Sequence, residues 1–214
     1  HFVFFLNFRC VYKHKNMIFK CLKITLILVI IILLPRISMA IEKKAIFAGG
    51  CFWCMEEAFD KLEGVKDVIS GYTGGDLKNP SYEEVTKGNT GHYEAIEVTY
   101  DSEKIQYSQL LDFFWQNIDP FNNRGQFCDL GSSYLSAIFF KNDEEKKEIS
   151  KSKNRLKINT GNIQTHILPF KEFYRAEEYH QNFYQKNPDH YKTYKSGCGR
   201  EKRLNQVWNT LKDK

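Results

Sequence analysis

The chain has 214 residues, 15% of them aromatic, and a formal net charge of +5. That charge is uneven: residues 1–40 hold Arg9, Lys13, Lys15, Lys20, Lys23 and Arg36 with no acid, and the remaining 174 residues set 25 bases against 26 acids. A nucleic-acid-binding reading of the whole-chain pI of 8.7 is thereby excluded, and 174 residues suffice for one domain with a packed core.

Residues 1–16 precede the first methionine, Met17, and read as an upstream extension outside the fold. Residues 17–40 read as a signal peptide or N-terminal anchor. Lys20 and Lys23 stand before an eleven-residue apolar run, Ile24 to Leu34, and Ser38-Met39-Ala40 places small residues at a cleavage site. The run is short of the roughly 20 residues that span a bilayer. Cleavage near Ala40 and export, to a periplasm, is the expectation. A retained membrane anchor, or a cytoplasmic product started nearer Lys43, is the alternative.

Residues 41–214 read as one domain without repeats or linkers. Strands are predicted over Lys43–Ala48, Val65–Tyr72, Tyr93–Tyr100, Ser136–Lys141 and Ile163–Leu168. In the third run Ile96, Val98 and Tyr100 share one face, and Glu94 is the first residue on that same face. Helices are predicted over Phe52–Leu62, Ser81–Thr86, Ser108–Asn117, Asp143–Leu156 and Ala176–Gln185. Ser81 with Glu84 makes a capping box, and Ser108 is a plausible N-cap. The Lys/Glu-rich stretch 143–157 reads as a solvated helix face. In the polar C-terminal tail, Leu204, Val207, Trp208 and Leu211 recur at helical spacing. Strands alternating with helices imply helices packed on a mixed sheet, α/β or α+β.

Four cysteines lie beyond residue 40: Cys51, Cys54, Cys128 and Cys198. Cys51 follows a strand and the pair Gly49-Gly50 and opens a helix. Unpaired N–H groups and the helix dipole there favour a thiolate, so a depressed pKa is expected. Phe52 and Trp53 supply an apolar wall. Cys54 lies one turn on, which makes a thiol–disulfide exchange motif or half a zinc site. Zinc would want a second such pair, and Cys128 and Cys198 stand alone in sequence. Glu94 is either a solvated strand-end carboxylate or, if buried among aromatics, a carboxyl kept protonated as a general acid. His92 is a rival acid. The loop 126–134 brings Asp129 and Tyr134 near a strand start, and Tyr82 begins a short helix.

The segments Gly50-Cys51-Phe52-Trp53-Cys54-Met55-Glu56, Gly71-Tyr72-Thr73-Gly74-Gly75, Asn79-Pro80-Ser81-Tyr82, Gly91-His92-Tyr93-Glu94, Asp129 through Tyr134 with Ser136-Ala137-Ile138, and Ala176-Glu177-Glu178-Tyr179-His180-Gln181 with Asn187-Pro188 resemble, in order, the A-type methionine sulfoxide reductases. The resemblance runs from about Lys43 to about Trp208. It implies an α+β fold, a ferredoxin-like two-layer sandwich of a mixed sheet with helices, wrapped by long loops.

It also implies reduction of the S epimer of methionine sulfoxide, free or in proteins, as repair of oxidative damage. No cofactor or metal is implied, because two electrons come from thiols. Cys51 matches the nucleophile and Glu94 the acid that protonates the sulfoxide oxygen. Tyr82 and Tyr134 match the phenols that hydrogen-bond that oxygen, Asp129 an orienting acid, and Phe52 and Trp53 the wall for the S-methyl group. The resulting Cys51 sulfenic acid is resolved by a second thiol. Cys198, between Gly197 and Gly199 in a flexible-looking tail, matches a resolving cysteine. Cys54 stands where many relatives have glycine and is the other candidate. A relay through Cys51, Cys54 and Cys198 stays open, and Cys128 is read as a buried residue with no assigned role. Tyr93 stands where many relatives carry a small residue. The implied partners are oxidised proteins and a thioredoxin-like reductant, with the chain a monomer that binds no nucleic acid. The rival readings are a general thiol–disulfide oxidoreductase and a non-enzymatic zinc-binding or disulfide-stapled module.

Overall fold

The computed structural model describes residues 41–156 and 162–212, with side chains through Asn209. The readings of residues 1–40 and of the Leu211 side chain lie outside the described residues.

The framework is a ferredoxin-like unit. It runs β1 (Glu42–Gly49), α1 (Phe52–Asp60), β2 (Val65–Thr73), β3 (Tyr93–Asp101), α3 (Tyr107–Gln116) and β6 (Ser136–Phe140), with the short α2 (Tyr82–Thr86) between β2 and β3. The central strands lie in the order β6-β1-β3-β2, each antiparallel to its neighbour. Two short strands extend the edges. β7 (His166–Pro169) pairs parallel with β6, which makes the sheet mixed, and β8 (Phe173–Arg175) pairs with β2. A separate ribbon joins β4 (Gly125–Gln126) to β5 (Asp129–Leu130).

Alternation along the strands builds two faces. Ala45 and Phe47 of β1, with Ile96, Val98 and Tyr100 of β3, belong to the main core. Ile46, Ala48 and Ala95 belong to a smaller cluster on the other side, covered by Leu168, Phe170 and Phe173. The main core is closed by α1 through Phe52, Met55 and Phe59, and by α3 through Leu110, Leu111, Phe114 and Trp115. The spacing in α1 places its three side chains on one helix face. α4 (Asp143–Arg155) touches the core through Ile149, and Ser152 accepts a hydrogen bond from Trp115 Nε1 at 3.0 Å. The remainder of α4 is charged and faces water, as its composition implies. Ser81 and Glu84 form the expected capping box on α2.

Several expectations are corrected. α3 begins at Tyr107, and its N-cap is Gln106 rather than Ser108, with Gln109 Oε1 accepting from the Gln106 N–H at 2.9 Å. The helix expected over Ala176–Gln185 is confined to α5 (Phe183–Lys186). Upstream, Ala176 N–H and the Gln181 side chain are spent on the Ser70 backbone, and Asn182 is left-handed, so the segment serves as an edge brace. The strand expected from Ile163 starts at His166. The stretch around Cys198 is the end of α6 (Pro188–Gly197), with Pro188 at its first turn. α7 (Arg200–Lys212) follows and docks through buried Val207 and through Trp208 Nε1, which donates to Ile118 O at 3.3 Å.

Candidate active site

The glycine turn after β1 aims the first cysteine. Gly50 has φ +81°, and a Cβ there would come within 2.5 Å of Gln126 Cβ, so only glycine allows this turn against the β4–β5 ribbon. Cys51 then becomes the N-cap of α1. Next to it, the Phe52 N–H donates to Glu94 Oε2 at 3.1 Å. This bond joins the helix start to β3 and answers the question about Glu94, which is 2% exposed. Burial, with Asp129 nearby, pushes its pKa up to about 8, so it is protonated at neutral pH.

Cys51, Phe52, Trp53 and Glu94 line a cavity of about 50 Å³. Tyr82, Asp129, Tyr134 and Tyr194 complete it. A cavity this small takes the reacting end of a substrate and leaves the rest outside. Tyr134 faces both Glu94 and Tyr82 across the cavity. Tyr82 is held from behind by Glu177, whose Oε1 accepts its backbone N–H at 2.8 Å. Trp53 stacks on Phe183 at 3.8 Å, and its Nε1 donates to His180 Nδ1 at 3.1 Å. Burial lowers His180 to about 4, so it stays neutral.

The thiols depart from the sequence expectation. Cys51 and Cys54 are free and only 5% and 4% exposed. Burial pushes the Cys51 thiol well above its ordinary value, and its hydrogen bond with Cys54 adds to the rise. That same bond, with help from the Arg200 guanidinium, draws Cys54 down to about 7. The helix N-terminus is outweighed by desolvation at Cys51, and the pair carries its charge on Cys54.

Cys128 is exposed and bonded to Cys198, which corrects the reading that it is buried. Asp129 Oδ2 accepts from Tyr194 OH at 2.6 Å, and Tyr194 lies beside Cys51 on the cavity wall. His92 is held structurally, with Nε2 2.7 Å from Leu77 O and Nδ1 accepting from Gly75 N–H, and it does not line the cavity. The sequence reading missed Tyr194 and His180. The Asn187-Pro188 helix start, which places Tyr191 and Tyr194 one turn apart, was the available signal for Tyr194. A larger groove of about 990 Å³ reaches Cys54 from the α7 side but touches neither Cys51 nor Glu94, so its size does not mark the chemistry.

The family model described as peptide methionine sulfoxide reductase matches residues 43–212. The chain belongs to that family. It is 50% identical over 172 residues to peptide methionine sulfoxide reductase MsrA of Bacillus subtilis (strain 168), covering 78% of this chain and 97% of that one. It is 46% identical over 175 residues to MsrA 2 of Caulobacter vibrioides, covering 81% and 89%. Among solved structures, reduced Mxr1 of Saccharomyces cerevisiae is similar with a TM-score of 0.65 and 36% identity, over 69% of this chain and 86% of that one. Methionine sulfoxide reductase A of Corynebacterium diphtheriae is similar with a TM-score of 0.64 and 29% identity, over 71% and 77%. The reductase is thus an α+β oxidoreductase of the A type, which reduces the S epimer of methionine sulfoxide by thiol chemistry.

Proposed function

We propose that Cys51 is the nucleophile and Glu94 the acid of this reduction. The observation that carries the reading is the small cavity the two share with three phenols and an aromatic wall. The substrate's methyl group lies against Phe52 and Trp53, and its oxygen lies among Glu94, Tyr82 and Tyr134. Cys51 attacks the sulfoxide sulfur while Cys54, the more acidic partner of its hydrogen bond, takes its proton. Glu94 gives its own proton to the oxygen, on which negative charge develops as the sulfur–oxygen bond breaks. The oxygen, now a hydroxyl, passes from the substrate sulfur to the Cys51 sulfur as the bond between the two sulfurs breaks, so methionine leaves and Cys51 is left as a sulfenic acid. Asp129 orients the site through Tyr194.

Cys54 then attacks the Cys51 sulfur, water leaves, and a Cys51–Cys54 disulfide forms. Cys198 receives the oxidation next, by attack on the Cys54 sulfur, which releases Cys51. A thioredoxin-like dithiol restores the thiols. Substrates are free methionine sulfoxide and oxidised proteins, and the reductase acts as a monomer. Residues 17–40 serve as a signal peptide cleaved near Ala40, which exports the enzyme to the periplasm. Supporting this reading are the basic start and short apolar run, and the family match that begins at residue 43.

The test of the residue roles is to give the Cys54→Ser, Cys198→Ser chain one equivalent of the S sulfoxide with dimedone present. A dimedone adduct on Cys51 with one methionine released is the expected result. Methionine released with no adduct on Cys51 would overturn the assignment.

A further inference from the structure

We propose that Cys128 is the terminal thiol of the relay, so that oxidation generated at Cys51 ends at the surface as the Cys128–Cys198 disulfide, the bond the dithiol reductant reopens. This rests on the reductase reading above and adds a cysteine to which that reading gives no role.

The observed bonding is the end state such a relay would leave. Cys128 is joined to Cys198, while Cys51 and Cys54 are free thiols. A disulfide between Cys51 and Cys54 would lie on residues 5% and 4% exposed, out of reach of a protein-borne dithiol. Cys128 is exposed and Cys198 half-buried. The surface pair is nonetheless next to the chemistry. The Asp129 carboxylate and both sulfurs lie within 4.8 Å of one another. Asp129 accepts from Tyr194 at 2.6 Å, and Tyr194 touches Cys51.

The place of Cys198 in the fold suits a carrier. It stands between two glycines, at the joint of α6 and α7, and Gly199 has φ +68°. A Cβ added at Gly197 or Gly199 would meet nothing within 4 Å, so the joint has open space around it. Cys128 lies at the turn of the β4–β5 ribbon, and its N–H donates to Cys198 Sγ at 3.2 Å.

The steps balance. With Cys54 bonded to Cys198 and Cys51 free, the Cys128 thiolate attacks Cys198 Sγ. The Cys128–Cys198 bond forms, the Cys54–Cys198 bond breaks, and Cys54 leaves as a thiolate that takes up the proton Cys128 gave. No electrons are gained or lost in this exchange. The dithiol donor then reduces Cys128–Cys198 and becomes a disulfide itself.

The experiment starts from the fully reduced full-length chain without oxygen. One equivalent of the S sulfoxide is added, methionine is counted, and disulfides are mapped by mass spectrometry after alkylation. One methionine with Cys128–Cys198 formed, and Cys51 and Cys54 alkylated, is the expected result. Cys51→Ser should form no Cys128–Cys198 bond under the same treatment, and Cys128→Ser should stop at Cys54–Cys198. One methionine with Cys128 still alkylated would overturn the relay while leaving the reductase reading intact. A Cys128–Cys198 bond formed equally in Cys51→Ser would make it structural and also overturn the relay. No methionine from the folded chain would sink the reductase reading and the relay with it.

Discussion

The Phe52 N–H donates to Glu94 Oε2 at 3.1 Å across 42 positions of sequence. One hydrogen bond thereby ties the residue after the nucleophile to the acid, so the cysteine turn and β3 hold a common geometry. It also constrains Glu94 chemically. A single backbone donor does not offset full burial, and the carboxyl keeps its proton to about pH 8.

Glu94→Gln therefore keeps an acceptor for Phe52 but removes the transferable proton. The kcat/KM for the S sulfoxide should fall by about 10²–10⁴, the usual contribution of a positioned acid. The wild-type fall in rate above about pH 8 should vanish with it. A pH–rate profile of both proteins checks this, and an unchanged alkaline limb in the variant would remove Glu94 from the acid role.

The same group makes stability depend on pH. Its pKa is about 8 folded, against 4.5 for the free group, so the folded state holds a proton the unfolded chain releases. Its contribution is fully present below about pH 4.5 and is lost as pH rises toward about 8. The slope for this one group is about 1.4 kcal/mol per pH unit across that window. Urea unfolding of wild type and Glu94→Gln at several pH values should show a flatter profile for the variant by about that amount.

Cys54→Ser takes away the group that accepts the Cys51 proton. The ascending limb near pH 7 should move up by at least about one unit, and the single-turnover rate at pH 7 should fall about tenfold. Rapid-quench measurement of methionine release, without reductant, isolates this step from resolution. A limb that stays in place would mean that Cys51 loses its proton elsewhere.

Arg200 is 4% exposed and joins the C-terminal helix to the domain. Its guanidinium donates to Asn117 O at 2.6 Å and Gly49 O at 3.4 Å, and lies 4.5 Å from the centre of the Phe127 ring. Arg200→Ala leaves buried carbonyls without a donor and should cost about 2–4 kcal/mol. Limited proteolysis should then cut first within α7. Equal resistance of α7 in both proteins would place its anchoring elsewhere, for instance in the Arg203–Asp119 pair at 2.7 Å.

The legible parts were those governed by local rules. The period-two pattern of β3 announced that Glu94 shares a face with Ile96 and Val98, and the structure buries all three. The glycine turn announced Cys51 at a helix start, and α1 begins there. The illegible parts depend on chain meeting chain. The Ala176–Asn182 stretch has helical composition, yet its polar groups serve the Ser70 backbone across 111 residues of sequence at Gln181. Tyr194 was one phenol among twelve until α6 carried it over Cys51. The thiol acidities followed the same logic: the helix N-terminus is local and visible, whereas the burial that raises Cys51 comes from distant parts of the chain packed around it, with the Glu94 charge adding to the rise and Tyr194 opposing it. The pairing of Cys128 with Cys198 spans 70 positions, and no spacing rule announces it.

The most direct test of the central claim supplies the S and R epimers of methionine sulfoxide separately to the protein and to Cys51→Ser, with dithiothreitol as reductant. Consumption of the S epimer alone by wild type, and of neither by Cys51→Ser, is the predicted result. Turnover of the R epimer, or S turnover that survives Cys51→Ser, would contradict the account of Cys51 as the nucleophile of an S-specific site.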